Sequence, residues 1–115
     1  MSIMETIEWG DFQKVDLRVG TITRVEDFPE AKRPAYRLEI DFGPDLGLRK
    51  SSAQITVRYD KSSLIGRQIL AVVNLPVKQI ANRMSECLVT GVADDNGDIV
   101  LVGVDQQVPN GTKLM

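Results

Sequence analysis

The 115-residue sequence contains no histidine, only one cysteine and few aromatic side chains. Lack of histidine removes the commonest general base and the commonest metal ligand. The single thiol, Cys87, excludes an internal disulfide and a thiolate metal cage. No apolar run approaches the roughly 20 residues of a membrane helix, and the first residues lack the basic flank and apolar stretch of a signal peptide. We therefore predict a cytoplasmic protein that is not an enzyme, with no cofactor, no metal and no membrane insertion.

Charge is distributed unevenly along the chain, whose formal net charge is −2. Residues 1–13 carry −3, residues 14–83 carry +5 with 13 of the 14 basic side chains, and residues 84–115 carry −4. A molecule polarised in this way can present a positive face to phosphate despite its low isoelectric point. Chance clustering on a solvated surface explains the same pattern equally well.

Hydrophobic residues recur mainly with a period of two, which is typical of strands with one buried face. Alternation is clear over residues 15–19 and 36–42, and its phase slips near Gly20 and Thr21, as a bulged strand at a barrel corner requires. The further predicted strands are residues 51–59, 68–74, 86–92 and 99–104. Residues 60–66 predict a short helix, and residues 94–98 predict a tight hairpin turn.

This order of elements is that of an OB-fold, a partly open five-stranded barrel that binds oligonucleotides and oligosaccharides. We predict an all-β domain over residues 1–115, with the short helix between strands 3 and 4 and short N- and C-terminal extensions. Its core spans about residues 11–115, and residues 1–10 form the N-terminal extension. Another small barrel or a sandwich is the alternative.

Six segments carry a resemblance to a known family: residues 16–22, 28–31, 51–56, 66–75, 85–86 and 108–112. In order and spacing they resemble the tRNA-binding domain family, an OB-fold module, and they are most similar to its CsaA-type protein-export chaperones. The resemblance implies a chaperone for protein export that binds unfolded or precursor polypeptides in an apolar groove with a basic rim, and that also binds tRNA. A module that recognises tRNA by shape, with no chaperone role, is the alternative.

Two segments depart from the family pattern. The family has a His-Pro turn followed by Ala-Asp-Lys-Leu, whereas this sequence has Phe-Pro at 28–29 and Ala-Lys-Arg at 31–33, with Arg33 in the place of lysine. The family's Ser-x-Gly-Met segment, which is implicated in tRNA contact, is Ser-Glu-Cys-Leu at 85–88. Leu88 keeps the apolar bulk of methionine without its thioether, which fits the chaperone branch better.

Binding of RNA or polypeptide requires exposed basic and apolar side chains near one another. The residues predicted to form the binding site are Lys32, Arg33, Lys78, Arg83, Ser85, Leu88 and Phe28. Simple solvation is the alternative for the basic side chains, and anchoring of its own loop is the alternative for Phe28. Cys87 is predicted to be a small buried hydrophobic residue.

An apolar set precedes the barrel and is too small to bury itself: Ile3, Ile7, Trp9 and Phe12. These side chains are expected to pack against the barrel or a second subunit. Free-standing members of the family are homodimers, so the resemblance implies a homodimer with Ile7, Trp9 and Phe12 at its interface. The implied partners are tRNA or other structured RNA, unfolded or precursor polypeptides, and the export machinery.

Overall fold

The computed structural model describes residues 4–115, so Ile3 lies outside the described residues. These residues contain two short helices and nine strands. The elements are α1 (Trp9–Gln13), β1 (Leu17–Asp27), β2 (Tyr36–Asp41), β3 (Leu48–Ala53), α2 (Lys61–Leu64), β4 (Gln68–Val72), β5 (Lys78–Ile80), β6 (Arg83–Ser85), β7 (Leu88–Val89), β8 (Gly91–Ala93) and β9 (Ile99–Leu101). Within residues 4–115 neither helix is long and apolar enough to cross a membrane.

Five strands form one antiparallel sheet in the order β3-β2-β1-β4-β7, and β5-β6 and β8-β9 form separate two-stranded sheets. The two edge strands of the large sheet approach each other at one end. There the Glu86 amide donates a 2.8 Å hydrogen bond to the Lys50 oxygen, and the Ser51 hydroxyl donates a 2.9 Å hydrogen bond to the Cys87 oxygen. These contacts nearly close a barrel, with α2 between β3 and β4, which confirms the predicted OB-fold.

Strand β1 curves because its pairing with β2 and its pairing with β4 meet within one long element. The register with β2 shifts between Ile22 and Arg24, slightly later than the predicted slip. Gly20 leaves room for two core side chains, since a Cβ atom there would lie 2.6 Å from the Ile40 side chain and 2.7 Å from the Phe42 ring. The predicted irregularity in β1 is therefore confirmed, although it lies slightly later in the strand. Gly20 allows close packing beside it.

The core follows the period of two. Buried and half-buried residues alternate through β2, where Leu38 and Ile40 are fully buried. Facing side chains from other elements complete a single cluster, with Ile22, Phe42, Ile55, Leu64 and Ile69 among its fully buried members. Burying an aliphatic or aromatic side chain of this size stabilises a fold by about 1.5–3 kcal/mol. This cluster stabilises the barrel, and the barrel in turn positions the loops.

The predicted strands 68–74 and 99–104 end earlier in the structure, at Val72 and Leu101, and two others differ more. Strand β3 covers 48–53, not 51–59, because the chain leaves β2 after Ala53 and buries Ile55 beyond the strand end. The predicted strand 86–92 is divided at Thr90 into β7 and β8, which pair with β4 and β9 respectively. A change of partner within one segment leaves no mark on its hydrophobic pattern.

Candidate binding groove

A groove of about 1170 Å³ lies where the barrel does not close. One wall is the end of β3 and the residues after it, and the opposite wall is formed by residues 88–91 and β9. Residues 30–33 and 35 of a loop and residues 78–81 of the β5-β6 hairpin also line the groove. The apolar side chains of these two walls form what we call the apolar floor: Ala53, Ile55, Leu88, Val89, Ile99 and Leu101.

Three exposed cations line the groove and form what we call the basic rim: Lys32, Arg33 and Lys78. They come from a loop and a hairpin that are far apart in the sequence, and the fold brings them to one groove. That they bind a ligand stays a prediction. No ion pair within residues 4–115 engages any of the three. Their charge is therefore available to an anionic group in the groove.

Leu88 also lies in the groove. Its main chain pairs with Val72 on β4, which fixes its position, while 52% of its surface is exposed. An aliphatic side chain held rigidly and left half in water gains free energy when a ligand covers it. Leu88 and the basic rim thus line the same groove.

Arg83 and Ser85 lie in β6 but do not line the groove. The Arg83 guanidinium donates hydrogen bonds of 3.1 Å to the Ser51 oxygen and 2.7 Å to the Leu38 oxygen. Burial, with a smaller effect from the nearby Arg37, lowers the pKa of Arg83 from its ordinary value. The structure gives Arg83 an anchoring role in place of the predicted free phosphate contact.

The Ser85 hydroxyl is likewise engaged within the protein. It donates a 3.1 Å hydrogen bond to the Cys87 oxygen and lies 3.4 Å from the Ser51 hydroxyl. Cys87 is buried as predicted, and burial raises the pKa of its thiol to about 11. A thiol that stays protonated near neutral pH is a poor nucleophile. This cluster holds β6 and β7 against β3.

Phe28 corrects a prediction. It is only 3% exposed, so its assignment as an exposed apolar contact is wrong. The Arg37 guanidinium lies over its ring, 5.8 Å from the centroid, and the Phe28 oxygen accepts a 3.2 Å hydrogen bond from the Ala31 amide. The ring anchors the loop that carries Lys32 and Arg33.

The β5-β6 hairpin is the part of the groove that the sequence did not predict. Its two-residue turn contains Ala81 at a φ of 52°, where glycine is usual. At the turn the Asn82 amide group donates a 2.9 Å hydrogen bond to the Glu30 carboxylate, which links the hairpin to the loop on the other side of the basic rim. An Ala-Asn turn carries no strong hairpin signal, so the sequence does not reveal it.

Of the predicted interface residues, Trp9 and Phe12 lie in α1 and Ile7 precedes it, and none belongs to the core cluster. Ile7 is 60% exposed and Trp9 is 64% exposed, and the Trp9 ring contacts Phe12 with centroids 5.4 Å apart. The barrel of the same chain therefore does not cover Ile7 or Trp9. In the part of the chain that the structure describes, no group of three potential metal ligands is present.

A small five-stranded barrel with an open, basic-rimmed groove defines an OB-fold binding module. Residues 17–113 match the family described as "Putative tRNA binding domain", and the chain belongs to that family. The matched family is a binding module, so residues 17–113 form a binding domain and not a catalytic one.

Two kinds of protein are similar to this chain over most of its length. The methionine–tRNA ligase of Methanocaldococcus jannaschii is 30% identical over 111 residues, which cover 96% of this chain and 17% of the ligase. The chain thus spans about a sixth of the length of that curated relative. Crystal structures of CsaA chaperones are similar over their whole length. The protein from Bacillus anthracis is 51% identical with a TM-score of 0.90, and that from Picrophilus torridus is 49% identical with a TM-score of 0.88. Each covers 96% of this chain and 100% of the solved chain.

Proposed function

We propose that this protein is a cytoplasmic, homodimeric chaperone for protein export, which binds unfolded or precursor polypeptides in the groove and also binds tRNA. The observation that carries the proposal is the pairing of an apolar floor with the three unengaged cations of the basic rim. The likeness to CsaA chaperones over 100% of their solved chains supports the polypeptide ligand.

The composition of the groove favours polypeptide over bases as the ligand of its floor. Proteins that hold single-stranded nucleic acid stack bases on aromatic side chains. Among the described residues, no aromatic side chain lines the groove. Aliphatic side chains such as Leu88 and Ile99 bury apolar side chains of a polypeptide without requiring a flat partner.

Binding of tRNA without chaperone activity is the second candidate. The family match and the basic rim favour it, because phosphate contact requires only exposed positive charge. Such a ligand would be recognised by the shape of its backbone. Counterion release makes this binding steeply salt-dependent, whereas apolar capture of a polypeptide is not weakened by salt in this way.

A pair of matched variants tests the proposal. Leu88→Ser removes an exposed apolar side chain from the groove, and Val92→Ser removes one of similar exposure, 59%, that does not line it. We expect Leu88→Ser to lose most of its ability to suppress aggregation of reduced insulin, and Val92→Ser to behave as the parent. Both should melt cooperatively near the parent temperature, since both side chains are more than half exposed.

Binding of a tRNA transcript, measured for the same variants over a salt series, separates the two candidates. The proposed chaperone groove predicts a larger loss of aggregation suppression than of RNA affinity in Leu88→Ser. If folded Leu88→Ser keeps full suppression and loses RNA binding, the groove binds RNA and the chaperone role is rejected.

A further inference from the structure

The walls of the groove are strand edges, and this determines what their main-chain groups can do. Residues 52 and 53 end β3, one edge of the five-stranded sheet, and residues 88 and 89 form β7, the other edge. Edge strands present amide and carbonyl groups that have no partner in the sheet. The direction in which each group points follows from the alternation of an antiparallel ladder.

Thr90 fixes that direction on one wall. Its amide donates to the Leu70 oxygen at 3.1 Å, and its oxygen accepts from the Val102 amide at 3.1 Å. The Thr90 amide therefore faces β4, and its carbonyl faces Val102, the residue after β9. Because successive residues of a strand direct these groups to opposite sides, those of Val89 face away from β4 and those of Gly91 face away from β9. Both residues line the groove.

Lys50 fixes the direction on the other wall. Its amide donates to the Glu86 carboxylate and its oxygen accepts from the Glu86 amide, both at 2.8 Å, so these groups point away from β2. Ser52, two residues further along β3, points its main-chain groups the same way and lines the groove. Within residues 4–115 no hydrogen bond joins the main chain of Ser52 to that of Val89 or Gly91. Glu86 thus joins the two sheet edges at the closed end of the barrel. In the groove the two edges are not paired with each other.

We propose that a polypeptide in the groove binds as an added β-strand, paired with the edge formed by Val89 and Gly91. This inference rests on the proposed function and specifies its ligand as an extended segment. A polypeptide backbone supplies both the donors and the acceptors that these amides and carbonyls require. Phosphate oxygens only accept hydrogen bonds, so phosphates of a nucleic acid would leave the Val89 and Gly91 carbonyls without partners.

The same geometry restricts the sequence of the ligand. In an added strand, alternate side chains face the same side. One set would contact the apolar floor, and the other would lie near the basic rim. Preferred segments would therefore alternate apolar with acidic or polar residues. Main-chain pairing itself does not depend on side chains, which suits a protein that captures unfolded chains of varied sequence.

Hydrogen exchange of the full-length protein tests which amides become bonded. The probe is a capped synthetic peptide in which valine and glutamate alternate. Exchange at Val89 and Gly91 should slow about tenfold when about nine-tenths of the protein is bound, because exchange then occurs from the free fraction. Exchange at Thr90 should change little, since its amide already donates to Leu70. Equal protection of all three amides, or of none of them, would overturn the proposal.

Peptides N-methylated at alternate residues provide a second, independent test. Pairing with one edge uses the amides of every second peptide residue. Methylation of that set should weaken binding by at least about tenfold, because those hydrogen bonds can no longer form, while methylation of the other set should leave affinity near that of the parent peptide. If both sets bind as the parent does, strand addition is rejected and groove binding stands. If the parent peptide does not bind, the proposed polypeptide function fails as well.

Discussion

The Nη2 atom of Arg83 donates a 2.7 Å hydrogen bond to the main-chain oxygen of Leu38, which joins β6 to β2. A second bond of 3.1 Å, from its Nε atom to the Ser51 oxygen, joins β6 to β3. The Arg83 guanidinium therefore anchors the β5-β6 hairpin, which also carries Lys78, to the barrel. Arg83 thus anchors the hairpin, whereas Lys78, nearby in the sequence, is exposed and contributes charge to the groove.

We predict that Arg83→Ala lowers the free energy of unfolding by about 1–3 kcal/mol, because two partly buried carbonyls lose a charged donor. Urea denaturation measures this directly. Lys78→Ala should change stability by less than about 0.5 kcal/mol, as expected for an exposed side chain. Equal stability of the two variants would contradict the anchoring role of Arg83.

The basic rim should govern the salt dependence of RNA binding. Replacing both Lys32 and Lys78 by alanine should weaken binding of a tRNA transcript and reduce the slope of log K against log salt by roughly 0.7–0.9 for each phosphate that the protein no longer neutralises. Lys14→Ala is the control, since Lys14 is exposed and does not line the groove. If the double variant keeps the parent's slope while Lys14→Ala reduces it, the RNA surface lies elsewhere.

The exposed face of α1 predicts a dimer. Light scattering of the purified protein at micromolar concentration should give twice the chain mass of 12.8 kDa, because pairing would cover Ile7 and Trp9. Trp9→Ser should shift the equilibrium toward monomer. Val57→Ser, which alters a 73% exposed side chain elsewhere, should not. A parent protein of monomer mass would rule out the dimer.

Acid should weaken the contact between Asp16 and Arg18. The Arg18 Nε donates a 2.6 Å hydrogen bond to the Asp16 carboxylate, which lowers the pKa of that carboxyl below its ordinary 3.8. The folded state therefore binds fewer protons than the unfolded state between the two pKa values. Stability from this contact is present above pH 3.8 and is lost as the pH falls through the lower, folded pKa.

The corresponding variant is Asp16→Asn. Its free energy of unfolding should fall less steeply than that of the parent as the pH drops below about 4, as measured by urea denaturation across this range. Arg18→Met, which removes the other partner, should flatten the acid response in the same direction. Unchanged acid dependence in both variants would show that the contact contributes nothing in solution.

Much of the barrel could be predicted from hydrophobic spacing. Residues 36–41 alternate because one face of β2 lies on the core, and that constraint acts on every residue of the strand. The limits of β3 and the division at Thr90 could not be predicted, since they depend on which strand lies alongside. The β5-β6 hairpin escaped prediction because the tertiary structure holds Ala81 in a conformation that its residue type disfavours.

The sequence by itself determined the period of the strands, the position of the short helix and the family. It also singled out Lys32, Arg33, Lys78 and Leu88, which line the groove. Only the tertiary structure decided that Phe28 is buried and that Arg83 is an anchor. The reason is physical: a basic side chain donates hydrogen bonds within the protein only where the fold places acceptor carbonyls within its reach. For Arg83 those carbonyls belong to Leu38 and Ser51, which the pairing of β2 with β3 places side by side.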